Sequence, residues 1–243
     1  MVPIGPLRLH PHLLFDLLAY SGGFRLFLWQ RRRLGDTIDT HARWSVVAAA
    51  ILGAAVGSKI FFWTENPAET LAHWNDPRFL LGGKTIVGAL IGGLAGVEIE
   101  KHWTGLTRRT GDLFAAPLAA GIAIGRIGCF LSGLPDRTYG TATALPWGVD
   151  FGDGVFRHPT QIYESIVMSA AALLLWRLTR QRHRDGDVFK LFMVTYFALR
   201  LLVDFLKPEP RVLLGLGSLQ WASVMMLAYY GDDVRRWMKE GWA

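Results

Sequence analysis

The chain has 243 residues, 51% of them apolar, with 27 glycines, a mean hydropathy of +0.25 and a formal charge of +6. The apolar residues fall into runs of membrane-spanning length, which excludes an ordinary soluble domain, and a single cysteine excludes an internal disulfide framework. The basic residues lie in the loops between the runs, which marks topology and argues against nucleic acid as a partner.

Met1–His12 lacks a basic start and a small-residue cleavage site, so no removable signal peptide is expected. The first predicted span is Leu13–Trp29, with Asp16 and Arg25 inside it and Arg31-Arg32-Arg33 after it. The second is Trp44–Trp63, where Gly53 and Gly57 are spaced for close helix approach and Lys59 is enclosed. A polar connector, Glu65–Gly83, leads to the third span from about Lys84 to Glu98, where Gly88, Gly92 and Gly96 line one face. The fourth span is Asp112–Phe130. The turn-rich segment Ser132–Pro159 follows, too long for a structureless loop and expected to form a small head, with a short strand within Leu145–Phe151. Thr160–Trp176 and Val188–Leu206 are the fifth and sixth spans, the latter stopped by Lys207-Pro208-Glu209-Pro210. Leu213–Tyr230 is the seventh.

The expected fold is an all-α polytopic membrane protein of about seven transmembrane helices, one integral membrane domain over residues 1–243, with residues 132–159 as its outward-facing head. One alternating set of loops holds fourteen lysines and arginines and the other seven. The richer set is expected to face the cytoplasm, which puts the N-terminus outside and the C-terminus inside.

Charged residues inside the spans mark the candidate site. Arg200 and Asp204 are four apart and able to pair on one helix face. Arg126 has no acidic neighbour within a turn, so it needs a carboxylate from elsewhere, such as Asp16 or Glu164, or a bound anion. A guanidinium between Gly125 and Gly128 suits a phosphate, since its donors form a planar fork and the glycines leave room for a head group. An anionic lipid head group is the expected ligand. Gln161, Tyr163 and Glu164 are read either as polar bundle contacts or as site lining. Cys129 is read as a small packed residue in preference to a nucleophile. The seven histidines show no metal spacing with Cys129, and no metal or cofactor is expected. Gly82-Gly83-Lys84-Thr85 ends like a phosphate loop, but Arg78 occupies the required earlier glycine position.

The stretch Gly125-Arg126-Ile127-Gly128-Cys129-Phe130-Leu131-Ser132-Gly133 resembles the signature G-R-(I/L)-G-N-F-(I/L)-N-G of the prolipoprotein diacylglyceryl transferase family. Arg157-His158-Pro159-Thr160-Gln161-Ile162-Tyr163-Glu164 is similar to that family's R-H-P-(S/T)-Q-(I/L)-Y-E block, and Tyr196 through Arg200 to Asp204-Phe205 to its Y-x-x-x-R…E-F segment. The resemblance implies a bacterial inner-membrane enzyme that transfers the diacylglyceryl group of phosphatidylglycerol to the lipobox cysteine thiol of a preprolipoprotein, with glycerol phosphate leaving. It implies Arg126 and Arg200 as catalytic residues on the lipid phosphate and Gly140 and Tyr196 at the substrate; His158, just before Pro159 at a helix start, is read as orienting the loop in preference to acid–base function. The family's H-G-G-L-I-G block reads Val87-Gly88-Ala89-Leu90-Ile91-Gly92 here, and its signature asparagine is Cys129. Two alternatives stay open: a divergent relative acting on another acceptor, and a non-catalytic protein that binds or moves anionic lipid.

Overall fold

The computed structural model describes residues 2–4 and 7–242. Strands β1 (Val2–Ile4) and β2 (Leu7–Leu9) pair antiparallel at the start of the chain. The helices follow as α1 (Pro11–Leu34), α2 (Thr40–Glu65), the short α3 (Pro67–Ala72) and α4 (Pro77–Gly82), α5 (Ile86–Thr104) and α6 (Asp112–Ser132). The segment after α6 carries the two-residue strands β3 (Val149–Asp150) and β4 (Phe156–Arg157), and α7 (Thr160–Leu178), α8 (Asp187–Val203), α9 (Ser218–Tyr229) and α10 (Gly231–Glu240) complete the chain. The described residues are thus mostly helical.

Alone, two of the described helices, Thr40–Glu65 and Asp112–Ser132, are long and apolar enough to cross a membrane. The other expected spans are interrupted by charge or are shorter. The seventh shrinks to Ser218–Tyr229, because Leu214 and Gly215 take positive φ in a tight turn before it. The third begins at Ile86, where the Thr85 hydroxyl accepts from the Gly88 amide, and runs on to Thr104. The strand expected within Leu145–Phe151 reduces to Val149–Asp150, paired with Phe156–Arg157.

The residues divide into two compact units. One comprises Asp36–Arg109 and Glu209–Met226. Within it α2 packs on α5 along facing glycines. A Cβ on Gly53 or Gly57 would collide with the backbone of Gly92 or Gly88, and one on Gly92 with that of Gly53, so only glycine permits this helix distance. Asn66 and Asp76 cap the short helices α3 and α4.

The other unit comprises Met1–Gly35, Thr110–Pro208 and Leu227–Ala243. Its α6 packs against α1, α7 and α8. Ala115, Ala116, Ala119 and Ala123 give α6 a flat buried face, the Phe27 and Phe114 rings stack at 4.5 Å between α1 and α6, and the Ser165 hydroxyl donates to the Ala123 carbonyl at 2.9 Å. The α8 N-terminus has no side-chain cap of its own. Asp112 of α6 supplies one, accepting from the Gly186 and Phe189 amides. These fixed helices carry the buried charged residues Arg126, Glu164 and Arg200.

Candidate functional site

The site lies entirely within the second of these units. Glu164, in the second turn of α7, is at its centre. One of its carboxylate oxygens meets Arg126 of α6 at 2.7 Å. The other meets Lys207 at 3.0 Å and Arg200 of α8 at 3.6 Å. Arg200 also pairs with Asp204 at 3.0 Å, and Lys207 lies 3.9 Å from the same carboxylate. Arg126 and Arg200 therefore converge on one point, and the intrahelical Arg200–Asp204 pair is formed as well. All five residues are buried, none more than 6% exposed.

Among these five side chains three cations face two carboxylates, a surplus of one positive charge within the group. An uncompensated charge away from water is strongly unfavourable, and a buried network of this kind is stable only if further partners satisfy it. Other groups around it also lack partners. Arg126 Nε, both amide atoms of Gln161 and the Tyr196 hydroxyl are buried with no hydrogen-bond partner among the described residues. Gln161 lies one turn before Glu164 on α7, and Tyr196 one turn before Arg200 on α8, so they share the faces that carry the ion cluster. Buried polar groups without partners are rare in folded proteins and require an explanation. An anion with several acceptor oxygens would satisfy both the charge and the donors.

The glycines of the signature divide. A Cβ on Gly125 would meet nothing within 4 Å, so that position borders open space. A Cβ on Gly128 would lie 2.6 Å from the Phe15 Cβ, so the space beside it is taken by α1 and not left for a head group. Gly140 lies where a Cβ would meet His158 at 2.6 Å and the Leu206 carbonyl at 2.9 Å, and its amide donates to the His158 carbonyl. These contacts give Gly140 a packing role, joining the loop to the start of α7 and the end of α8. His158 lies 3.3 Å from the Tyr163 hydroxyl, which also accepts from the Trp147 indole at 2.8 Å. Arg157 forms two bonds to Asp153 at 2.7 and 2.8 Å, and this pairing holds the Asp153 carboxyl below its ordinary range.

Cys129 is buried, as expected of a packed residue, but its surroundings are polar. Its Sγ is 3.8 Å from Nδ1 of His12 and 4.0 Å from Nη1 of Arg126. The same Nδ1 lies 3.0 Å from Asp136, and Nε2 of His12 lies 3.4 Å from Asp16. Burial pushes the Asp136 carboxyl up, but hydrogen bonds from His12 and Thr138 outweigh it and hold it below its usual range. The spacing of the histidines and Cys129 gave no metal motif, yet the fold brings His12, Cys129 and Asp136 together across more than a hundred residues. Lys207 was also missed, because Lys207-Pro208 reads as a helix stop. The only available signal was its position one turn beyond Asp204.

The sequence profile of the family described as prolipoprotein diacylglyceryl transferase matches residues 1–230. Among similar proteins, the phosphatidylglycerol–prolipoprotein diacylglyceryl transferase of Bordetella parapertussis is 32% identical over 249 residues, covering 92% of this chain and 89% of that protein. The protein of that name from Cupriavidus metallidurans is 30% identical, covering 86% and 83%. The one from Nitratidesulfovibrio vulgaris is 29% identical, covering 92% and 86%.

Proposed function

The chain belongs to the prolipoprotein diacylglyceryl transferase family, and from that premise we propose that it moves the diacylglyceryl group of phosphatidylglycerol onto the lipobox cysteine thiol of a preprolipoprotein, in a bacterial membrane. One observation carries the site assignment: the surplus positive charge of Arg126, Arg200 and Lys207 over Glu164 and Asp204, buried beside donors that lack partners. The lipid phosphate supplies the missing anion. As the thiolate attacks the glyceryl carbon, charge grows on the departing glycerol phosphate, and the fixed guanidinium groups stabilise it where it develops. The Tyr196 hydroxyl and the Gln161 amide bond phosphate or glycerol oxygens, and the open space at Gly125 admits the head group. Tyr163 positions His158 at the entrance, and Gly140 and Gly128 set the approach of the flanking segments.

In this reading α1, α2, α5, α6, α7, α8 and α9 cross the inner membrane, with the N-terminus outside and the C-terminus in the cytoplasm. Residues 132–159 form the outward head, which meets the acceptor after secretion. A second reading, in which the protein binds anionic lipid without transfer, is favoured by Val87, an apolar buried residue where the resembling family has a histidine. Purified protein incubated with labelled phosphatidylglycerol and a lipobox peptide separates the two. Transfer predicts lipidated peptide from the wild type and none from Arg126→Ala. Lipid bound with no product supports the second reading.

A further inference from the structure

Beside the ion cluster, one group of side chains has the composition of a metal site. His12 opens α1, Cys129 lies in the last turn of α6 and Asp136 lies in the short turn after it. Their nitrogen, sulfur and oxygen ligand atoms all lie within 4.8 Å of one another. Nδ1 of His12 is 3.0 Å from the Asp136 oxygen and 3.8 Å from Sγ. A tetrahedral zinc ion, with bonds of about 2.0–2.1 Å to nitrogen and oxygen and about 2.3 Å to sulfur, holds such pairs roughly 3.3 and 3.6 Å apart. Small side-chain adjustments therefore bring the three atoms onto one ion. The opposite ring nitrogen faces Asp16 at 3.4 Å, the arrangement that orients a metal-binding imidazole. One ion at that nitrogen would also reach the Asp136 oxygen and the sulfur.

We propose that His12, Cys129 and Asp136 bind one zinc-class divalent ion, and that its remaining coordination position takes the acceptor thiol. A mixed nitrogen, sulfur and oxygen set suits zinc or cobalt(II) and disfavours magnesium or calcium. Three protein ligands leave a tetrahedral ion one open position. The second half of the proposal rests on the transferase reading. The acceptor thiol releases its proton to solvent on binding the metal. Its sulfur lone pair then forms the S–C bond to the glyceryl carbon, the C–O bond to phosphate breaks, and that electron pair leaves with glycerol phosphate. Arg126, with Nη1 4.0 Å from the Cys129 sulfur, places the phosphate-binding group next to the metal-held thiolate.

The test is cobalt(II) titration of the full-length protein in detergent, followed by visible spectroscopy. The wild type is expected to bind one cobalt per chain with a sulfur-to-cobalt charge-transfer band. Cys129→Ser loses that band, and Asp16→Asn, which keeps all three ligands, binds about 10–100-fold more weakly. A lipobox peptide roughly doubles the band, as one thiolate becomes two, and the same peptide with serine for its cysteine does not. Size-exclusion elution identical to wild type certifies each variant as folded. Folded wild type that binds no cobalt, or binds it equally well in Cys129→Ser, overturns the site. A band unchanged by the cysteine peptide overturns the acceptor role. Cobalt bound as described by a protein that lipidates no peptide counts against the transferase reading and leaves the metal site standing.

Discussion

Glu164 touches every cation of the site, and its substitution separates structure from function. Glu164→Gln removes the carboxylate that three buried cations share, and removing one partner of a buried pair costs about 3–5 kcal/mol. Thermal unfolding in detergent should show that loss as a clearly lowered midpoint, partly restored by added phosphatidylglycerol. Tyr196→Phe is expected to act in two directions. Deleting a buried hydroxyl without a partner leaves the lipid-free protein as stable or more so. The same change weakens phosphatidylglycerol binding by about tenfold if the hydroxyl bonds the lipid, the worth of one hydrogen bond of about 1–1.5 kcal/mol. Equal binding by the wild type and Tyr196→Phe would remove Tyr196 from the site. Arg126 and Arg200 were legible in the sequence because a guanidinium in an apolar run demands a reason. Lys207 was hidden by the proline beside it. His12, Cys129 and Asp136 were hidden because α1 and α6 meet only in the folded chain.

Among the elements, the glycine faces of α2 and α5 were readable directly, since a four-residue glycine repeat on two helices implies close approach. Gly92→Ala forces the helices apart and should destabilise by about 1–3 kcal/mol, whereas Gly82→Ala, where a Cβ meets nothing within 4 Å, leaves the unfolding midpoint unchanged. The signature glycines were less readable. Spacing alone gave Gly125 and Gly128 the same role, but the structure leaves space beside one and packs Phe15 against the other. Gly125→Ala is therefore expected to fold normally and transfer slowly, and Gly128→Ala to lose stability in the same unfolding assay. In the segment between α6 and α7, the paired Asp153 carboxyl sits below its ordinary range. Its contribution is present at neutral pH and disappears as pH falls through its folded value, below the usual carboxylate pKa of about 3.9. Amide exchange at Val155, whose amide donates to the Asp153 carboxylate at 3.2 Å, corrected for the intrinsic pH dependence, should lose protection in that acidic window.

At the scale of the molecule, polarity is inverted relative to a soluble protein. Ile51, Leu52, Ile166 and Leu173 are more than 60% exposed, while Arg43, Arg126, Glu164 and Arg200 are buried. Apolar exteriors and enclosed charge are what a hydrocarbon solvent selects. Composition and loop charge carried this much of the fold, but the helix bounds depended on caps and tight turns that hydropathy does not register. The proposed orientation predicts that Ala144→Cys, in the head, reacts with a membrane-impermeant maleimide on spheroplasts, and that Arg182→Cys reacts only after permeabilisation. The reverse pattern would place the site on the wrong side for a secreted acceptor. The central claim is displacement at carbon, with the phosphate leaving into the Arg126–Arg200–Lys207 group. Phosphatidylglycerol carrying heavy oxygen in the bond between the diacylglyceryl carbon and phosphorus tests it most directly. All of the label is expected to depart with glycerol phosphate while the lipobox peptide gains an unlabelled diacylglyceryl group; label retained on the diacylglyceryl group would show cleavage at phosphorus and rule out displacement at carbon.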